Sequence, residues 1–526
     1  MSSALAGVRP IGPGRLTGAG RLSRGLGVLV VVGLANLLLL LALRHGPSSA
    51  LLLGILPALG LLFAALVASD RSILLFFALA VPMTSPQLTN PLPIPGPGTI
   101  WTQDLIVVFA VGAWLARRLF AADQPTTPRL RVISGFAWPF ALFALAVVTA
   151  VVRGHAYYGT SLISQPLRLA LYVAIVVTAS ELSPRKAHKG LVVVFYTGTV
   201  WMLLNAAYFL ATGQSQTDQV DLSTGGARIL SGEVGTNLAF ALVLAILNLQ
   251  IDTSARRRAL HFAIAVLATV GVVLSFTRAI FLPLALVLPF VLFRRSVLRS
   301  LFSILPLLAP LLVVAGILLV RAQPQLIPTF VKRVTAPPSK DANAQWRLEA
   351  NKAVWPQVRE SPFLGVGFGR SAEIVTTDTN GALTLETVGQ EGHDSLLWLL
   401  AAGGIALAGS FALLIGRHAW TVWRCLRRGV LDPHGRVILI WSAASLFIML
   451  VTASAAPVLS SSSQILTMWS LISLGWSVIL PATRASEAAP SAGRRPRLAV
   501  VRESPASVRG PRPITAELAS PLRDPS

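Results

Sequence analysis

Arg228, Arg278, Arg347 and His393 are the side chains in this chain whose types and settings suit phosphate and proton chemistry. Arg278 lies in Ser275-Phe276-Thr277-Arg278-Ala279 between two apolar runs, and Arg228 opens Arg228-Ile229-Leu230-Ser231-Gly232-Glu233, with Asn237 inside the run that follows. A guanidinium presents a planar fork that matches phosphate oxygens in pairs, so converging arginines make a clamp for a diphosphate. Taken one at a time, each is equally well an arginine whose stem carries its charge to lipid phosphates. His393 stands in Gln390-Glu391-Gly392-His393-Asp394-Ser395-Leu396, directly before an apolar run, where Asp394 or Ser395 can cap the helix that begins there. Alone, a histidine in that setting is more often interfacial than reactive. After Pro362 come Gly365, Gly367 and Gly369, a turn whose backbone can approach a ligand closely but which on its own is only a turn.

Metal chemistry is not expected. None of the 7 histidines has metal-ligand spacing, and the 1 cysteine, Cys425, falls in a predicted loop, which excludes an intramolecular disulfide and a cysteine-based metal site. No cofactor is implied.

The elements that must hold these residues are membrane spans. The chain has 526 residues, 54% of them hydrophobic and only 12% charged, which places it in the polytopic membrane class. Apolar runs recur at roughly 25–43, 50–68, 72–83, 102–120, 133–152, 166–181, 190–211, 229–250, 260–276, 279–293, 300–320, 394–416, 437–456 and 464–480, against a need of about 20 residues per spanning helix. The expected fold is therefore an all-α, polytopic transmembrane helical bundle of about 12–14 spans, some of them short or broken. The first run follows Arg15, Arg21 and Arg24 but has no small-residue cleavage site behind it, so it reads as a helix rather than a signal peptide.

Loop charge orients the bundle. With the N-terminus cytoplasmic, the inner loops carry Arg117, Arg118, Arg129 and Arg131, then Arg185, Lys186 and Lys189, then Arg256-Arg257-Arg258, then Arg294, Arg295 and Arg299, then Arg417, Arg424, Arg427, Arg428 and Arg436. The alternate loops are nearly bare: residues 83–101 carry no charge and residues 212–227 only Asp218 and Asp221. Both termini are thus expected in the cytoplasm, and the net charge of +23 reflects inner loops facing anionic lipid, with no nucleic-acid partner. Arg228, Arg278, Arg347 and His393 then fall at the outer edge. Few other basic residues stand there (Arg44, Arg153 and Arg168), so their clustering calls for an anion.

The expected organisation is a basic N-terminus over 1–24, transmembrane helices over 25–320, an external subdomain of short helices over 321–393, further transmembrane helices over 394–480, and a disordered cytoplasmic tail over 481–526. Within the external segment, 341–359 has helical composition, with Trp346, Ala350, Ala353, Val354 and Trp355 available to one face. Pro362 ends it, and the segment is expected to lie along the membrane surface.

Four segments together resemble the O-antigen ligase and O-antigen polymerase family of bacterial envelope glycan enzymes. They are Arg228 to Asn237, Ser275-Phe276-Thr277-Arg278 at the top of a span, Trp346-Arg347 ahead of Ser361-Pro362-Phe363-Leu364-Gly365-Val366-Gly367-Phe368-Gly369, and Gly392-His393-Asp394-Ser395-Leu396 leading into Ala402-Gly403-Gly404-Ile405. The last two are the specific part. The family usually has asparagine after the histidine where this chain has Asp394, and Ser-Arg-Gly where it has Thr277-Arg278-Ala279. The resemblance implies a metal-independent transfer of a glycan from an undecaprenyl-diphosphate carrier to a glycan or lipid acceptor hydroxyl, at the outer face of the cytoplasmic membrane. It also implies that Arg278 and Arg347, with Arg228, stabilise charge on the leaving diphosphate, and that His393 takes the acceptor's proton, oriented by Asp394 or Glu391. Asn237, Gly365 and Gly367 join Arg228 and Asp394 as expected substrate-binding positions. Ligase and polymerase differ only in acceptor, and both readings stay open.

The alternative is a transporter or flippase of lipid-linked oligosaccharides. It would call for ionisable residues near span midpoints, whereas here the span centres are almost clean. A metal-assisted glycosyltransferase would need carboxylates in the first outer loop, and Arg44-His45-Gly46-Pro47-Ser48-Ser49 has none.

Overall fold

A computed structural model describes residues 72–83, 91–92, 100–120, 129–158, 164–176, 182–212, 230–275, 277–292, 342–377, 383–390, 394–428 and 431–488. The expected spans at 25–43, 50–68 and 300–320, the basic N-terminus, and the tail beyond 488 lie outside the described residues. So do Arg228, Glu391 and His393. The helices are α1 (Ser72–Ala80), α2 (Thr102–Phe120), α3 (Arg129–Tyr158), α4 (Ser164–Leu171), α5 (Pro184–Thr212), α6 (Gly232–Ile251), α7 (Ala255–Leu274), α8 (Arg278–Leu292), α9 (Ala342–Glu360), α10 (Ser395–Arg428), α11 (Pro433–Ala453) and α12 (Ser462–Ala488). Two antiparallel strand pairs complete it: β1 (Pro91–Leu92) with β2 (Ile100–Trp101), and β3 (Ala372–Thr377) with β4 (Leu383–Val388). The chain clusters into units Met1–Thr483 and Arg484–Ser526; of the second, only the end of α12 is described.

This is an all-α polytopic membrane protein. Among the described residues, 6 helices are long and apolar enough to cross a bilayer: Phe136–Ala156, Pro184–Phe209, Gly232–Ile251, Ala255–Leu274, Ser395–Arg428 and Pro433–Ala453. Burial sorts them. α6 is largely apolar and is buried on every side from Val234 to Leu249, which makes it a central helix. α3 instead leaves Trp138, Leu142, Leu145, Val148 and Val152 exposed, a stripe at helical spacing that in a bilayer faces lipid. α5 does the same with Val193, Val200, Trp201, Leu204 and Tyr208. α12 lies inside the bundle, where Trp469 donates to Leu169 O at 2.9 Å and packs edge-on to Phe140.

Local sequence explains the helix ends. Ser231 (φ −70°, ψ 161°) caps α6, its hydroxyl accepting from Val234 N, and Asp432 caps α11 ahead of Pro433, accepting from Gly435 N at 2.9 Å. Asp394 caps α10 by accepting from Leu396 N at 2.9 Å and Leu397 N at 3.0 Å.

α10 is broken inside. Gly404 has φ 60° and ψ −159°, a conformation open essentially to glycine alone. The backbone groups freed by the break are met by the turn after α9: Ile405 N donates to Pro362 O at 2.8 Å and Ala406 N to Phe363 O at 3.0 Å, while Val366 N and Gly367 N donate to Ala401 O and Ala402 O, each at 2.9 Å. Within a membrane such groups have no water to turn to, so a broken helix needs this kind of backbone partner.

A buried polar chain ties α5, α6, α7 and α11 at the opposite end. Asn248 Nδ2 donates to the phenolic oxygen Tyr196 Oη at 3.1 Å, which leaves Asn248 Oδ1 to accept from His188 Nε2 at 2.6 Å and the Tyr196 hydroxyl to donate to His261 Nδ1 at 2.7 Å. His261 Nε2 then meets Asp252 Oδ2 at 2.9 Å, and His434 Nδ1 lies 3.2 Å from His188 Nδ1.

Three expectations are corrected. Cys425 lies not in a loop but buried within α10, which runs to Arg428 rather than ending near residue 416. Its last turns keep a buried side of His418, Val422 and Cys425, while Arg427 covers the exposed Trp423 ring at 4.2 Å. The segment 321–393, expected to hold short helices, also carries a β-hairpin: α9 and the hairpin share a small core of Ala350, Ile374 and Val388. The run 166–181 is broken into α4 and a 3-10 turn, Tyr172–Ile175.

Candidate active site

The candidate residues are gathered by a connector that sequence reasoning passed over, Thr452–Gln464, which runs from the last turn of α11 through a 3-10 turn at Val458–Ser460 into the first turn of α12. Four separate elements attach to it. Thr452 Oγ1 donates to Ala279 O at 3.4 Å, beside Arg278 at the start of α8. Arg347 Nη1, from α9, donates to Ala455 O at 2.8 Å. Ser395, fully buried at the start of α10, donates from Oγ to Ala456 O at 2.9 Å and accepts from Leu459 N at 3.0 Å. Ser463 Oγ donates to Glu233 Oε2 of α6 at 2.9 Å.

The α6 start also packs directly on the turn carrying Arg278. A Cβ on Gly232 would lie 3.3 Å from Thr277 Oγ1, and one on Gly235 only 2.4 Å from Ser275 Oγ. Asn237, buried one turn further along α6, donates from Nδ2 to Glu233 O at 3.1 Å. Arg278, Arg347, Asn237 and Asp394 are therefore brought to the same ends of their helices. Arg228 and His393 lie outside the described residues, but Ser231 and Asp394, near them in sequence, belong to this assembly.

Arg278 and Arg347 are both partly buried, so their charges sit at the edge of the bundle rather than in bulk solvent. Partial exclusion of water strengthens the field of a guanidinium on an anion beside it. Arg168 differs: it is 3% exposed and forked onto Asp104, at 2.8 Å from both Nε and Nη2, with Tyr172 O–H on the same carboxylate at 2.7 Å. That pair is a structural staple between α2 and α4.

The glycine turn makes its close approaches to the chain itself. A Cβ on Gly365 (φ 66°) would lie 2.3 Å from Ala402 O, and one on Gly367 (φ 94°) 2.3 Å from Gly154 N of α3. Phe368 N donates to Ala150 O at 3.2 Å, and Gln390 Nε2 donates to Gly367 O at 3.0 Å. The turn thus fixes α9, and with it Arg347, against α3 and α10. Asp394 is engaged through Oδ1 in capping α10, one of the roles its sequence position suggested.

The sequence did hold a signal for the missed connector. Residues 460–463 are four consecutive serines followed by Gln464, set between two apolar runs where lipid contact would not favour hydroxyls. The attachments of Arg347 and Ser395, however, are to main-chain oxygens, which any residue supplies.

Residues 263–413 match the family described as O-Antigen ligase. The matched stretch contains Arg278, Arg347, Gly365, Gly367, His393 and Asp394; Arg228, Asn237 and the connector lie outside it. No curated protein matches the chain.

Proposed function

Because the chain carries the O-antigen ligase family's segment over residues 263–413, a family that works in cell-surface polysaccharide assembly, we propose that it transfers a glycan from an undecaprenyl-diphosphate carrier to an acceptor hydroxyl at the outer face of the cytoplasmic membrane. The acceptor oxygen bonds to the anomeric carbon as that carbon's bond to the diphosphate oxygen breaks. The electron pair leaves with the diphosphate, and the proton goes to His393. Arg278 and Arg347, with Arg228 as a third, meet the growing negative charge. A lipid diphosphate is already a good leaving group, so fixed positive charge suffices and no metal is required. Asn237, Gly365, Gly367 and Asp394 shape the ground around the substrate, the glycines and Asp394 by fixing α9 and α10.

The observation that carries this reading is the shared connector: Ala279, Arg347 and Ser395 come from three elements distant in sequence and are bound within Thr452–Leu459. The basic residues Arg185, Lys186, Lys189, Arg257, Arg424, Arg428 and Arg436 fall at the other helix ends, which supports a cytoplasmic position for those ends and an outer one for the site. Purified protein given a lipid-diphosphate-linked glycan, and offered either a lipid acceptor or a second repeat unit, tests it. A transferred product is expected, and its acceptor separates ligase from polymerase. No product with either acceptor would overturn the reading.

A further inference from the structure

Gln464, in the first turn of α12, is 1% exposed, and among the described residues neither its Oε1 nor its Nε2 has a hydrogen-bond partner. On α6, Asn237 is also 1% exposed, and among the described residues its Oδ1 has no donor. A buried amide left unmet is costly, and proteins keep one where something outside the chain meets it. The two are close in the fold. Ser463, next to Gln464, is bonded to Glu233, and Asn237 lies one turn from Glu233 on the same face. α6 and α12 run the same way from that bond, since Val478 of α12 packs on Gly435, beside the His434 that joins the polar chain at the far end of α6. At about 1.5 Å of rise per residue the two amides differ in depth by about 4–5 Å.

What meets them must both donate and accept, because Gln464 offers an unmet donor and an unmet acceptor and Asn237 a second acceptor. A sugar hydroxyl does both, and a pair of neighbouring hydroxyls spans such a depth. The amides lie near the same end of α6 as the diphosphate clamp, because Gly232, at the start of α6, packs on Thr277, the neighbour of Arg278. We propose that Gln464, together with Asn237, recognises hydroxyls of the sugar joined directly to the carrier diphosphate, and so acts as a specificity residue for the donor. This rests on the transfer reading above.

The test compares two probes on full-length purified protein: bare undecaprenyl diphosphate, and the carrier-linked glycan pool extracted from the cells that make the protein. Gln464→Leu keeps bulk and removes the amide. It should weaken binding of the glycan-bearing carrier about 10-fold, as expected for one or two lost hydrogen bonds to a ligand, and leave bare carrier unchanged. In transfer, KM for the donor should rise by about the same factor with kcat largely kept. Asn237→Ala gives an independent arm, with the same selective loss expected, should Gln464→Leu fail to fold. An unchanged preference for glycan-bearing over bare carrier in a folded, transferring variant would overturn this proposal alone, leaving the amides to bound water. Failure of the wild-type protein to bind either carrier would overturn the transfer reading itself.

Discussion

Arg347 and Ser395 are anchored to consecutive carbonyls: the guanidinium donates to Ala455 O at 2.8 Å and the hydroxyl to Ala456 O at 2.9 Å. α9 and the start of α10 are therefore registered against one another by two adjacent peptide units. Lysine in place of Arg347 or Arg278 keeps charge but loses the fork, so partial transfer activity is expected, while alanine should lower kcat about 100- to 1000-fold. Near-normal turnover of both alanine variants in the transfer assay would mean the arginines serve only lipid phosphate.

His393→Ala should abolish transfer with carrier binding largely intact, since the proton moves after the donor has docked. Titration of the variant with undecaprenyl diphosphate, run beside the turnover assay, separates the two effects. An active variant would remove His393 from the mechanism.

Gly404→Ala places a Cβ 2.4 Å from Phe363 C and forces a conformation that side chains avoid. A loss of about 1–3 kcal/mol is expected from the backbone alone, with more from the collision. Thermal unfolding in detergent should show a clearly lower midpoint than for Gly416→Ala, a glycine of the same helix whose added Cβ would meet nothing within 4 Å.

Activity should survive chelation. Loss of transfer in EDTA that Mg²⁺ or Mn²⁺ restores would point instead to metal-assisted leaving-group chemistry.

Single cysteines introduced as Ser339→Cys and Ser486→Cys in a Cys425→Ser background test orientation. Only the first should react with an impermeant reagent in intact cells, since 321–393 is expected outside and both termini inside. The reverse pattern would invert the topology and place the site in the cytoplasm.

The candidate residues were more legible in the sequence than the assembly that holds them. Arg278 and Arg347 stand out because charge at an apolar boundary is expensive, and the glycines after Pro362 stand out because only they accept positive φ. The connector stayed hidden because it holds Arg347 and Ser395 through peptide oxygens, which leave no trace in residue type. The hairpin was missed for a related reason: β3 and β4 have Val375 and Leu385 exposed beside buried Ile374 and Val388, so their alternation is weak. Glycine after glycine at 403–404 announced a special position, but not that a loop some 40 residues earlier would fill the break.

That break also sets what the 362–367 segment can tolerate in evolution and engineering. Its four cross-bonds to α10 are made by peptide groups, while the Phe363 and Leu364 side chains are 71% and 46% exposed. Residue identity at those two positions is thus nearly free, but a single insertion or deletion between Phe363 and Val366 takes the two bonds at one end of the segment out of register with the two at the other. The chain measures this joint by length, and variants that conserve spacing should survive where those that conserve sequence but not spacing do not.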